Sequence, residues 1–147
     1  EHILLGFSGV SLYSEKYAKA QVDNINNGSS NGKLREMQSI AEEALALFQK
    51  QANLDEIGDL LDKSWQLKQQ LAENLSNRTL NGIYEIAKKN GAFGGKLSGA
   101  GGGGFFWFLA PPYRHEKIKS ELKNINVWVP FKIDKAGSQI IFHSIQE

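Results

Sequence analysis

The chain has no cysteine, and only three prolines and one methionine in 147 residues. Without cysteine there can be no disulfide framework, no thiolate metal site and no cysteine nucleophile. A charge surplus is missing too: 17 Lys and Arg against 16 Asp and Glu leave a net charge of +1, with no block of like charge. Nothing here favours a nucleic-acid partner, whose phosphates call for a basic face. No apolar run reaches the ~20 residues of a membrane span, and no charged-then-apolar leader opens the sequence. The Asn-x-Ser/Thr sequons at Asn27, Asn74 and Asn77 are read as chance matches. The expected setting is the reducing cytoplasm, with neither membrane nor nucleic acid as partner. What is present is ordinary for a globular protein, 41% hydrophobic and 22% charged, in a length that suits one domain with its own core. The sequence begins at Glu1, without methionine and already in the apolar run "HILLGF", so it reads as a segment of a longer polypeptide.

"HILLGF" is continuous and apolar, which suits a buried strand. Ser8 to Ser11 reads as a turn into the helix "SEKYAKAQVDNI", with Tyr17, Val22 and Ile25 facing inward. Asn26–Lys33, "NNGSSNGK", is the densest loop signal. Helical periodicity then returns over Leu34–Gln51. Asn53 with Glu56 three residues on makes a capping pair for a further helix carrying Leu54, Ile57, Leu61 and Trp65. Another begins near Ser76 and stops at Asn90-Gly91, a C-terminal signal. "FFWFLA" (Phe105–Ala110) is aromatic and strand-length, and Pro112 fits the first turn of a helix after it. "VWVPFKI" and "QIIFHSI" read as two strands joined at Asp134–Ser138, the first demoted to an edge or bulge by Pro130. The order is strand, several helices, two strands around a glycine loop, helix, two strands, an α+β layout with helices over a mostly antiparallel sheet.

The loop is the most specific feature. From Gly91 to Gly104, "GAFGGKLSGAGGGG" holds eight of the chain's fifteen glycines. Gly99–Gly104 formally satisfies G-x-G-x-x-G, but a dinucleotide fingerprint must open a helix, and "FFWFLA" follows instead. A nucleoside-triphosphate phosphate loop fails as well, because Leu97 follows Lys96 where a metal-binding hydroxyl is needed. A flexible linker would be polar on both sides, whereas this loop is held between Lys96-Leu97-Ser98 and a hydrophobic strand. Two readings stay open: glycines serving a tight strand-to-strand crossing, or free backbone N–H groups forming an anion-accepting concavity beside Lys96.

"GGKLSGAGGGGFFWF" resembles the third motif of the GHMP small-molecule kinases: a Lys, two residues, then a Gly-Ala-Gly-Gly-Gly run entering a strand of the C-terminal domain. Lys96, Leu97, Ser98 and Gly99 to Gly104 match it position by position. "IGDLLDKSWQLKQQLAENLSN" and "GFSGVSLYSEKYAKAQ" are similar to the branch that phosphorylates sugars at the anomeric hydroxyl, most of all a heptose 7-phosphate, with fucose kinases close behind. The resemblance runs from Ile3 to Phe142 and departs at Leu12, where relatives often carry Arg. The family's Pro-x-Gly-Leu-Gly-Ser-Ser loop and its acidic pair are absent from the 147 residues.

The resemblance implies a ferredoxin-like C-terminal domain over residues 1–147, with a mostly antiparallel four-stranded sheet and helices packed on one face. It implies an inactive fragment whose ATP and Mg2+ are bound mainly by a missing N-terminal domain. That domain and a sugar phosphate would be the partners, and self-association through the uncovered face stays open. A fucose- or galactose-type sugar and a non-catalytic binding or assembly domain are the competing readings. No catalytic residue and no metal ligand is expected in this half. Its share of the cleft would be Lys96, Ser98, Gly99, Ala100, Gly101, Gly102 and Gly103, with the main-chain N–H groups of Gly99, Ala100, Gly101 and Gly102 as donors. Trp65 and Lys68 lie three apart on one helix face. Trp65 weighs towards the core rather than a sugar platform, and Lys68 is the candidate cation for the substrate's own phosphate. Asp55, Asp59 and Asp62 also share a helix face, but acidic residues near a helix start are explained by its dipole.

Overall fold

Side chains alternate across a strand, so one face of a sheet can be a core while the other is not. β3 (Phe105–Leu109) shows this: Phe106 and Phe108 have no exposed surface, whereas Phe105 and Trp107 keep some. The computed structural model describes residues 1–11, 14–71, 76–99 and 101–139. Within them the order is β1 (Ile3–Phe7), α1 (Ser14–Asn26), α2 (Asn31–Gln49), α3 (Leu54–Gln69), α4 (Arg78–Lys89), β2 (Gly94–Leu97), β3 and α5 (Pro112–Glu121). The sheet runs β1-β3-β2 with both pairings antiparallel. Ile3 lies opposite Leu109, and Leu97 opposite Phe106.

The core fills the Phe106/Phe108 face. Those two rings stack at 5.3 Å, and Trp65 of α3 meets Phe106 edge-on at 5.8 Å and 81°. Leu80, Ile83, Tyr84 and Ala87 arrive from α4, and Ile118 from α5, with Leu122 and Ile125 just beyond it. α3 approaches β2 so closely that a Cβ on Gly58 would stand 2.3 Å from Phe93 Cβ, and one on Gly94 1.9 Å from the Gly58 carbonyl oxygen. Glycine at both positions is what allows the helix to lie on the strand backbone.

Several sequence expectations are corrected. The helices do not all cover one face: α2 borders the other, leaving a cleft of about 480 Å³ among Met37, Ile40, Phe48, Ile57, Leu61 and Trp107. Three strands form among the described residues, not four. "VWVPFKI" contributes one bridge, Trp128 to Gly6, and two hydrogen bonds to the free edge of β1, Phe7 N–H to Val127 O at 2.9 Å and Val129 N–H to Leu5 O at 2.8 Å. Residues 127 and 129 turn their hydrogen-bonding groups to β1, so the nitrogen of Pro130 faces away from the ladder, where an edge segment tolerates proline. The loop expected over Asn26–Lys33 is shorter, because α2 starts at Asn31. One local and one distant contact fix that start: buried Ser30 donates its N–H to Asn24 O, and Lys33 Nζ donates to Gln70 O at 2.6 Å. Val22 and Ile25 are exposed, and Ala20 packs against Leu71 instead. The Tyr17 side chain and nearly all of the expected strand "QIIFHSI" lie outside the described residues.

The helix signals hold where they are local. Asn53 N–H donates to Glu56 Oε1 at 3.3 Å, Asn77 Oδ1 accepts from Leu80 N–H at 2.9 Å, and Pro112 sits in the first turn of α5.

Candidate functional site

The glycine loop joins β2 to β3, and its ends are set by the sheet. Leu97 is wholly buried and anchors the end of β2, while Ser98 N–H donates to Phe105 O at 2.8 Å and closes the mouth of the loop. Between them Gly99, Gly101, Gly102 and Gly104 take φ values of +81°, +109°, +79° and +110°. These are conformations an L side chain rarely adopts, so the run of glycine is a backbone requirement.

A second segment braces the loop. Gly104 N–H donates to Val10 O at 2.9 Å, and Ser8 N–H donates to Gly104 O at 2.9 Å. A Cβ on Gly103 would stand 2.5 Å from Val10 O. The buried Ser8 hydroxyl closes that turn on itself, accepting from Val10 N–H at 3.3 Å. The "FSGVS" stretch carries part of the family resemblance, but its local pattern reads as a turn. Its part in the site arises from the pairing of Phe7 with Phe105, which no local pattern reveals.

The other side of the loop is cationic. Lys68, in the last turn of α3, donates from Nζ to Gly99 O. Burial, and then the neighbouring Lys96 ammonium, hold Lys68 below the ordinary lysine range. Neither lysine forms an ion pair among the described residues. Two like charges side by side, with no carboxylate between them, are unfavourable unless an anion joins them. Gly101 and Gly102 are buried, and the N–H groups of Gly101, Gly102 and Gly103 find no acceptor among the described residues.

Residues 33–126 match the family whose description is GHMP kinases C terminal. The chain belongs to that family. This GHMP kinase C-terminal domain is 38% identical over 109 residues to the D-glycero-alpha-D-manno-heptose 7-phosphate kinase of Campylobacter jejuni subsp. jejuni serotype O:2, covering 71% of this chain and 32% of that protein. It is 37% identical over 82 residues to the bifunctional fucokinase/GDP-fucose pyrophosphorylase of Arabidopsis thaliana, covering 56% of this chain and 7% of that protein. Its fold is similar to that of part of L. major mevalonate kinase, with a TM-score of 0.75 at 22% identity over 86% of this chain and 40% of that one. The GHMP domain thus spans about a third of the heptose kinase it matches.

Within the GHMP domain, Lys96, Ser98, Gly99, Gly101, Gly102, Gly103 and Lys68 come together around the loop. Ala100 and Leu12 lie outside the described residues. Trp65 does not join them. It has no exposed surface and packs among Tyr84 and Phe106, so it offers no face on which a sugar could stack. Asp62 is engaged elsewhere, accepting from Tyr84 Oη at 2.5 Å and lying 3.8 Å from Lys88 Nζ. No group of carboxylates or histidines that could hold a metal occurs among the described residues. No helix there is long and apolar enough to cross a membrane.

Proposed function

We propose that this domain is the substrate-cleft half of an ATP-dependent sugar kinase, transferring a phosphoryl group to the anomeric hydroxyl of a heptose 7-phosphate. The observation that carries the reading is the loop itself: a run of positive-φ glycines matching the family's motif, beside two lysines that form no ion pair among the described residues. The 38% identity to a heptose 7-phosphate kinase supports the choice of sugar. Phosphoryl transfer is largely positioning plus neutralisation of charge. Lys96, Ser98, Gly99, Ala100, Gly101, Gly102 and Gly103 would form the wall against which the substrate is oriented. Lys68 would stand at the phosphate end. ATP and Mg2+ would be held mainly by an N-terminal partner domain of the same polypeptide, and this half alone would be inactive. The setting would be the cytoplasm, and self-association is a secondary proposal.

The ferredoxin-like reading of the sheet belongs here as well. Segment 127–129 on the free edge of β1 would act as its fourth strand, giving the spatial order 4-1-3-2 expected of a split βαβ arrangement. A second substrate reading is favoured by one observation, the 37% identity to a fucokinase. A third, a non-catalytic small-molecule-binding or assembly domain, would keep the loop without turnover.

The test is phosphate transfer from labelled ATP by the polypeptide encoded by the complete reading frame, offered heptose 7-phosphate or L-fucose, with the 147-residue chain assayed beside it. Transfer to the heptose by the complete polypeptide alone is expected. Transfer to fucose would replace the substrate, and no transfer to either would leave the binding-domain reading.

A further inference from the structure

A second recess lies between α3 and α4, a groove of about 410 Å³. Asp62, Gln66 and Gln69 line it from one face of α3, spaced four and three apart. Asn81, Glu85 and Lys88 line it from α4 with the same spacing, and the core residues Trp65 and Tyr84 complete it. One end is fixed. Tyr84 Oη donates to Asp62 Oδ1 at 2.5 Å, and Lys88, 3.8 Å from Asp62 Oδ2, donates to Phe93 O at 2.6 Å. The rest of the lining is unengaged: Gln66, Gln69 and Glu85 make no hydrogen bond or ion pair among the described residues. Trp65 is wholly buried, yet its Nε1 has no hydrogen-bond partner. Its ring packs against Tyr84 and Phe106, and the groove is the recess that it borders.

The chemistry of these groups selects a ligand class. The indole only donates, the carboxylates only accept, and the amides do both. An ammonium would satisfy Asp62 and Glu85 but has no lone pair for the indole. A phosphate would satisfy the indole but brings negative charge to a groove where two carboxylates face one ammonium. A hydroxyl both donates and accepts. We propose that the α3–α4 groove binds an uncharged polyhydroxylated molecule, a neutral sugar, with one hydroxyl oxygen accepting from Trp65 Nε1 and neighbouring hydroxyls donating to Asp62 and Glu85. The buried indole offers no face for stacking, so its contact is through the N–H alone. Nε1 is closed to solvent as the groove stands, and entry requires the rim to shift. Gln66 and Gln69, which no hydrogen bond holds, are the side chains free to do so. A buried donor left without an acceptor is costly, and the sugar oxygen would remove that cost. This site is separate from the glycine loop and does not depend on the chain being a kinase.

The experiment follows the indole N–H signals of the three tryptophans in the isotope-labelled 147-residue chain while D-mannose, inorganic phosphate or putrescine is added. Trp107→Phe and Trp128→Phe identify the Trp65 signal by elimination, without touching the core residue itself. Mannose should move the Trp65 signal saturably and leave the other two in place, and phosphate and putrescine should not move it. Glu85→Ala, at an exposed position, should weaken the mannose response about tenfold with an unchanged urea midpoint. A Trp65 signal that ignores mannose, or that responds equally in the parent and Glu85→Ala, overturns the assignment. A response to putrescine alone would make the groove a cation site, and a response to phosphate alone an anion site; either overturns the sugar reading. Equal movement of all three indoles would mark a solvent effect and count against it as well.

Discussion

A glycine in a helix weakens it by about 1 kcal/mol relative to alanine unless the missing Cβ is needed. Gly58 and Gly82 separate the two cases. At Gly82 of α4 an added Cβ meets nothing within 4 Å, so Gly82→Ala should stabilise the domain by roughly 0.5–1 kcal/mol in urea unfolding. At Gly58 the same methyl collides with Phe93 and the start of β2, and the residue is buried, so Gly58→Ala should destabilise by about 1–3 kcal/mol or more. Both sit in sequence as ordinary interruptions of a helical pattern, and only the tertiary approach distinguishes them. Trp65 is a related case at the opposite size. Its spacing on α3 allowed either a core or a surface role, and total burial decides for the core. Trp65→Ala should cost roughly 3–5 kcal/mol of stability, visible as a lowered urea midpoint. In the loop, Gly101→Val would add a β-branched side chain at φ +109°. It should impair substrate binding, but its unfolding midpoint must be measured alongside, because the backbone itself is strained.

Between elements, the tie that stands out is Tyr84 of α4 to Asp62 of α3, with Lys88 adding a bond from Nζ to Phe93 O at 2.6 Å before β2. Burial first, and then the Asp62 carboxylate, push the Tyr84 phenol well above its usual range near 10. The folded chain therefore keeps the proton where the unfolded chain releases it. Stability from this bond is full below about pH 10 and falls as the pH rises above it. Urea midpoints taken from about pH 8 to about pH 11 should decline, and Tyr84→Phe should flatten that decline while lowering stability at neutral pH by about 1.5–3 kcal/mol. The start of α3 was legible at this scale because capping is a matter of three or four neighbouring residues, Asn53 with Glu56; α4 was placed only near Ser76, and its Asn77 cap on Leu80 is seen in the structure. The start of α2 was misread because Lys33 is held by Gln70, a partner that a local window does not contain.

For the whole molecule, the α+β layout and the glycine motif were legible, since element order and a nine-residue pattern are properties of the string. The distribution of helices over the two sheet faces was not, because periodicity says that a helix has an apolar side without saying which sheet face it meets. Likewise the Ser8–Val10 brace belongs to the candidate site only through the β1–β3 pairing. Ser8→Ala should loosen the turn against Gly104, seen as faster amide exchange at Gly104, whose N–H is bonded to Val10, with the helices unaffected.

That brace also sets an order of events. Phe7 and its partner Phe105 are separated by most of the chain, and among the described residues β3 is the only strand that pairs with β1 along its length. During synthesis at about 5–20 residues per second, β1 waits roughly 5–20 s for β3 to emerge, with its ladder groups unpaired. Helices α1 to α4 are made of local contacts and can form in that interval, whereas closing a loop of such length is the slow, entropically opposed step. The glycine loop acquires its shape only when the first strand and the third meet, so a nascent domain has helices before it has a cleft.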